Sequence, residues 1–160
     1  MSVNKYLPHL LVLPEDDANR QMANGFQLDE GLEIRRIQVL EEAGGWQKVL
    51  SCFEAVHLQE MDRYSCRFMV LLIDFDGRNE RLDRAMAVIP ERLKERVFVL
   101  GAWSEPEKLR QNLGSYETIG RSMAKDCRNN TEKTWTNPFL CHNAGELERL
   151  RKNVRPILFH

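Results

Sequence analysis

The spacing of apolar positions changes repeatedly along the chain, and each change marks an element. His9 to Leu13 is a near-continuous apolar run closed by Pro14, too short for a helix, which predicts a buried strand. Ala18, Met22 and Phe26 then recur on one helical face within 17–27. Ile34, Ile37 and Val39 predict a second strand, and Arg35-Arg36 places it at an edge or half-exposed position. After Gly44-Gly45, the positions Trp46, Val49, Leu50, Phe53 and Val56 repeat at helical spacing. Phe68 to Ile73 is the strongest strand, apolar on both faces, as in the middle of a parallel sheet covered by helices. Leu82, Ala85, Met86 and Ile89 predict a third helix stopped by Pro90, and Val97 to Leu100 a fourth strand.

The resulting order, βαβαβαβ, predicts an α/β fold with an open parallel, Rossmann-like sheet and right-handed crossovers over residues 7–103. Residues 104–160 read as a mainly helical C-terminal extension within the same single domain, 1–160. Ser104 with Glu107 has the capping-box spacing, as does Asn143 with Glu146. Between them a helix runs from Tyr116 to about Cys127. The turn-rich stretch 128–143 follows, with Trp135 and Phe139 as anchors against the body. Val154 to Phe159 reads as a final edge strand, where Pro156 is tolerated.

Composition narrows the classes of function. The 160 residues carry 23 basic and 24 acidic side chains, a formal net charge of −1, without the basic excess of a free-standing nucleic-acid binder. The longest apolar stretch is far below the roughly 20 residues of a membrane span. The first residues lack the basic start and cleavage site of a secretory signal, so a cytoplasmic location is expected. The four cysteines form no C-x-x-C pair; reduced thiols, two or three of them buried, are expected, and Cys127 with Cys141-His142 is short of a zinc ligand set. His9, His57, His142 and His160 stand in unrelated contexts, and Ser51 and Ser115 have no visible base.

Carboxylates are concentrated where open parallel sheets bind ligands, just after the strands. Glu15, Asp16 and Asp17 follow the first strand, and Asp74 and Asp76 follow the third. If those strands are neighbours, up to five carboxylates share one crevice, and their repulsion calls for a hard cation such as Mg²⁺ or Mn²⁺, or Ca²⁺. In extended backbone, side chains two apart point the same way, so Asp74 and Asp76 are expected to face the crevice together while Phe75 packs inward.

Leu13-Pro14-Glu15-Asp16-Asp17 and Leu72-Ile73-Asp74-Phe75-Asp76-Gly77 together resemble the toprim domain, the metal-binding α/β module of topoisomerases, primases and nucleases of the OLD family. The resemblance covers roughly residues 7–103. It implies a toprim-like fold and phosphodiester transfer or hydrolysis on nucleic acid, with Glu15, Asp74 and Asp76 as catalytic residues. The metal, Mg²⁺ or Mn²⁺, would sit on Glu15, Asp16, Asp74 and Asp76. Small stand-alone proteins of this kind can work beside a partner such as an ATPase, for example in antiviral defence. Asp16 stands where the family often has Gly, and Asn19 where OLD-type members place an acid. Lys108, Lys125, Arg78, Arg81 or Arg84 are candidates for a phosphate contact, and Glu105 and Glu117 for further carboxylates.

Two other classes use the same acids. The stretch 13–17 also looks like the acidic opening of response-regulator receiver domains, with Asp74 as phosphoacceptor, although no fifth strand ending in Lys-Pro is visible. A non-catalytic interaction subunit would keep the acids as helix caps only.

Overall fold

The computed structural model describes residues 2–104 and 106–159. Its strands are β1 (His9–Pro14), β2 (Ile37–Val39), β3 (Arg67–Leu72) and β4 (Val97–Leu100), in one parallel sheet of order β2-β1-β3-β4. The α/β parallel-sheet architecture read from the apolar runs is the one adopted. Alternate strand residues serve opposite faces, so Leu10 and Val12 enter one core and Leu11 and Leu13 the other. The first face is covered by α1 (Asp17–Phe26), α5 (Pro106–Leu113), α6 (Tyr116–Asn129) and α7 (Ala144–Leu158). The second is covered by α2 (Trp46–Cys52), α3 (Leu58–Arg63) and α4 (Asn79–Val88). Among the described residues, no helix is long and apolar enough to cross a membrane.

Three local expectations differ from the structure. The second strand starts at Ile37, because Ile34–Arg36 forms a 3-10 turn that leaves Ile34 at the surface. Phe53–His57 is a π-helical segment joining α2 to α3; its wider turn carries Val56 outward and returns Leu58 and Met61 to the core. Val154–Phe159 is not a strand: α7 continues to Leu158 through Pro156, and only Phe159 makes an antiparallel bridge, to Leu32. The helical stripe Leu147, Leu150, Val154 and Leu158 is buried, and Pro156 so near the helix end removes a single internal hydrogen bond.

The extension is part of the core. α1 and α6 cross at two glycines: a Cβ on Gly120 would stand 1.9 Å from the Met22 carbonyl oxygen, and one on Gly25 would stand 2.2 Å from that of Glu117. Trp135 is buried in the same cluster, and the Trp103 N–H donates to the Phe139 carbonyl at 2.8 Å.

The capping-box patterns do not both cap helices. The Ser104 hydroxyl is buried without a hydrogen-bond partner among the described residues. Asn143 precedes α7 but makes no side-chain cap. Instead its Oδ1 accepts the Gly101 N–H at 3.1 Å, and its Nδ2 donates to the carbonyls of Gly101 and Leu140, each at 2.9 Å. Glu146 accepts the Val99 N–H at 2.9 Å. These two side chains close the outer edge of β4, where a fifth strand would otherwise pair. Asn143→Ala takes the side-chain partner from the buried Gly101 N–H and C=O, while the Leu140 carbonyl keeps the Asn143 N–H at 3.0 Å, and is expected to cost about 2–3 kcal/mol. Chemical denaturation checks this, and a loss below about 1 kcal/mol would show the edge to be otherwise satisfied.

Candidate metal centre

The order β2-β1-β3-β4 makes β1 and β3 neighbours, with the chain leaving them in opposite directions along the sheet. A crevice opens at the carboxyl ends of such a pair. The β1–β3 register, ending Pro14 opposite Leu72, places Glu15 and Asp74 side by side. Glu15 Oε1 accepts the Asp74 N–H at 3.1 Å, and the Glu15 N–H donates to the Leu72 carbonyl at 2.9 Å. The loop after β2 closes over the same point, since the Gly44 and Gly45 N–H groups donate to the Glu15 carbonyl at 2.8 and 3.1 Å.

Asp16 caps α1, accepting the Asn19 N–H at 3.0 Å and the Asn19 Nδ2 at 2.9 Å through Oδ1. The same Nδ2 donates to Asp74 Oδ1 at 3.2 Å, so one amide bridges both carboxylates. Asn19 is fully buried, and its Oδ1 has no hydrogen-bond partner among the described residues. One carboxylate oxygen from each of Glu15, Asp16 and Asp74 lies within 4.8 Å of the other two. Among the described residues this is the one such group, so Cys127, Cys141 and His142 do not assemble.

Burial and mutual repulsion dominate the electrostatics. Asp74 is 8% exposed; its carboxyl is pushed up to about 8, first by burial and then by the charges of Glu15 and Asp16. Burial raises the Glu15 carboxyl too, against the Asp74 N–H and the Arg81 charge. No ion pair reaches any of the three carboxylates among the described residues. Arg81 instead donates to the Asp74 carbonyl at 2.8 Å and lies over the Trp46 ring at 5.1 Å.

No protein-family model, curated protein or solved structure matches the chain. The site is therefore read from its own geometry: three carboxylates from two strand ends, in an arrangement able to bind a metal ion.

The other sequence candidates lie apart from this trio. Asp76 does not continue the extended backbone that would aim it with Asp74. Its φ is +52°, and its half-exposed carboxylate faces Arg81 at 3.6 Å. Asp17 is exposed and pairs with Arg20 at 2.8 Å. Glu117 pairs with Arg121 on the surface of α6, and Glu105 and His160 lie outside the described residues. Of the phosphate-contact candidates, Arg81 stands at the crevice, Arg84 pairs with Glu80, Lys108 lies over the Phe139 ring, and Arg78 and Lys125 are exposed. Asn19 is the residue that pattern reading did not place in the site. Its signal is a polar side chain on the inward face of α1 beside Met22 and Ala23.

Proposed function

We propose that Glu15, Asp16 and Asp74 hold a divalent cation, Mg²⁺ or Mn²⁺, for toprim-type phosphodiester chemistry on nucleic acid, in an assembly with a partner such as an ATPase. The observation that carries the cation is the trio itself: two buried carboxylates and a half-buried one, with no ion-paired base among the described residues and a carboxyl raised to about 8. An oxygen-only donor set of this kind suits a hard cation. Bound there, the ion would supply activation of water and neutralisation of charge on phosphate.

The chain's own groups have separable tasks. Asn19 holds Asp16 and Asp74 at a fixed spacing, and its unpartnered Oδ1 is a further oxygen donor beside them. Glu15, with its raised carboxyl, is suited to carry a proton between substrate and water. Arg81 is fixed by the Asp74 carbonyl, the Asp76 carboxylate and the Trp46 ring, and it presents its guanidinium beside the crevice to a phosphate oxygen. The likeness of 13–17 and 72–77 to toprim motifs supports the phosphodiester assignment.

Calorimetric titration with Mg²⁺ and Mn²⁺ tests the reading. Wild type is expected to bind, Asp74→Asn to lose at least about tenfold in affinity, and Asp76→Asn to change less than about threefold. Nicking of plasmid in Mn²⁺ is expected to follow the same order and to stop in EDTA. Absence of binding by either ion overturns the cation site. Binding without nicking rejects cleavage by this chain alone, and labelling of Asp74 by acetyl phosphate would then establish the receiver reading.

A further inference from the structure

At the end of the sheet opposite Glu15 and Asp74, the segments leading into β1 and β3 gather cations around one ring. Tyr64, 9% exposed, has Arg67 Cζ at 5.0 Å, Lys5 Nζ at 5.3 Å and Arg63 Cζ at 5.4 Å from its centroid. Arg67 is itself 5% exposed, and its Nε–H donates to His9 Nε2 at 3.0 Å. His9 Nδ1–H in turn donates to the Leu7 carbonyl at 2.7 Å, so His9 is the neutral tautomer and relays Arg67 to backbone.

None of Lys5, Arg63 and Arg67 forms an ion pair with a carboxylate among the described residues. Glu60 is the acid that acts on Arg67. Arg36 and Arg96 face the same end, with donors directed to the carbonyls of Pro8, Met61, Tyr64 and Arg67. The carboxylate trio therefore lies at the carboxyl ends of the strands, while Lys5, Arg63 and Arg67, without an ion pair among the described residues, lie at the amino ends.

A second observation specifies the partner. Tyr6 is 79% exposed, with its ring edge-on to Tyr64 at 6.0 Å and 75°. It is not a loose side chain on a loose segment. Val3 is buried in the core before it, Asn4 Oδ1 accepts the Tyr6 N–H at 3.0 Å, and the Leu7 N–H donates to the Asn4 carbonyl at 3.2 Å. A held, open aromatic ring beside unpaired cations is the combination that binds unstacked bases and their phosphates together. An acidic peptide would use the cations and leave the ring idle, and a duplex offers no free base face.

We propose that this end of the molecule is a single-stranded nucleic-acid surface. A base stacks on Tyr6, phosphates meet Lys5 and Arg63, and Arg67 lies beneath as a buried fixed charge. The surface rests on the proposed function only for the class of partner. The six residues of β1 separate it from the carboxylates by about 20 Å, so binding here needs no cation.

The test is fluorescence anisotropy of a labelled oligothymidylate of about 20 nucleotides, in EDTA, against a duplex of equal length and polyglutamate. Wild type is expected to prefer the single strand and to weaken with salt. Tyr6→Ala is expected to lose about 5- to 20-fold, with Tyr6→Trp restoring binding. Lys5→Ala/Arg63→Ala is expected to lose about tenfold and to lower the salt slope by about 1.4, from roughly 0.7 per phosphate contact on a single strand. Asp74→Asn is expected to bind as wild type does, which separates this surface from the cation site. No binding, binding indifferent to Tyr6 and to the two cations, or equal preference for polyglutamate would each overturn the proposal.

Discussion

Asp74→Asn is expected to stabilise the metal-free protein in mildly alkaline solution while abolishing its response to Mg²⁺ or Mn²⁺. The carboxyl moves from an unfolded value of 3.8 to about 8 in the fold, through burial first and the Glu15 and Asp16 charges second. Below pH 3.8 it is protonated in both states, and the fold bears no penalty. As pH rises from 3.8 to about 8, the unfolded chain releases its proton while the folded chain keeps it, so stability falls; above about 8 the loss is complete. At about 1.4 kcal/mol per pH unit, the upper bound of the penalty is ~6 kcal/mol. Asn keeps an oxygen for the Asn19 amide and removes the titration, and a gain of about 3 kcal/mol, or ~6–12 °C in Tm, is expected at pH 8.5. At pH 4 the two proteins should nearly coincide.

A cation binds the deprotonated trio, so its stabilisation of the wild type should grow between pH 6 and about 8 as protons are displaced. Thermal scans at pH 4, 6 and 8.5, in EDTA and in Mg²⁺, read both effects. A lower Tm for Asp74→Asn in EDTA at pH 8.5, or a retained metal response, would remove the basis of the site.

Gly120→Ala is expected to destabilise the fold by about 3 kcal/mol, against the sign that helix propensity alone gives. In an open helix the change gains about 1 kcal/mol. Here the new Cβ would stand 1.9 Å from the Met22 carbonyl oxygen, a backbone atom of α1 that cannot rotate away, and overpacking of this kind costs more than the propensity gain. Gly25→Ala meets Glu117 backbone from the other side and should behave alike. Gly145→Ala, with nothing within 4 Å of its Cβ, is the control and should be neutral or slightly stabilising. Urea midpoints compare the three, and equal values would mean that α1 and α6 can part without loss.

Legibility from sequence followed physical cause. β1, β3 and β4 were plain because both faces of each are covered, leaving unbroken apolar runs. The C-terminal segment was harder, since Pro156 argues against a helix more loudly than Leu147, Leu150, Val154 and Leu158 argue for one. Glu15 and Asp74 were visible as acids directly after buried strands. Alternation places Asp76 beside Asp74 only while the backbone stays extended, and it leaves that region at φ +52°. Asn143 and Glu146 look alike in sequence whether they cap a helix or a sheet edge; the choice depends on where β4 lies.

That last choice has a consequence for how the protein would fail. With Asn143 and Glu146 in place, the Val99 and Gly101 N–H groups at the outer edge of β4 are already taken. A protease nick before residue 143 that freed α7 would therefore do more than loosen a helix. It would uncover a wholly apolar edge strand, Val97 to Leu100, and turn a self-contained sheet into one that recruits copies of itself.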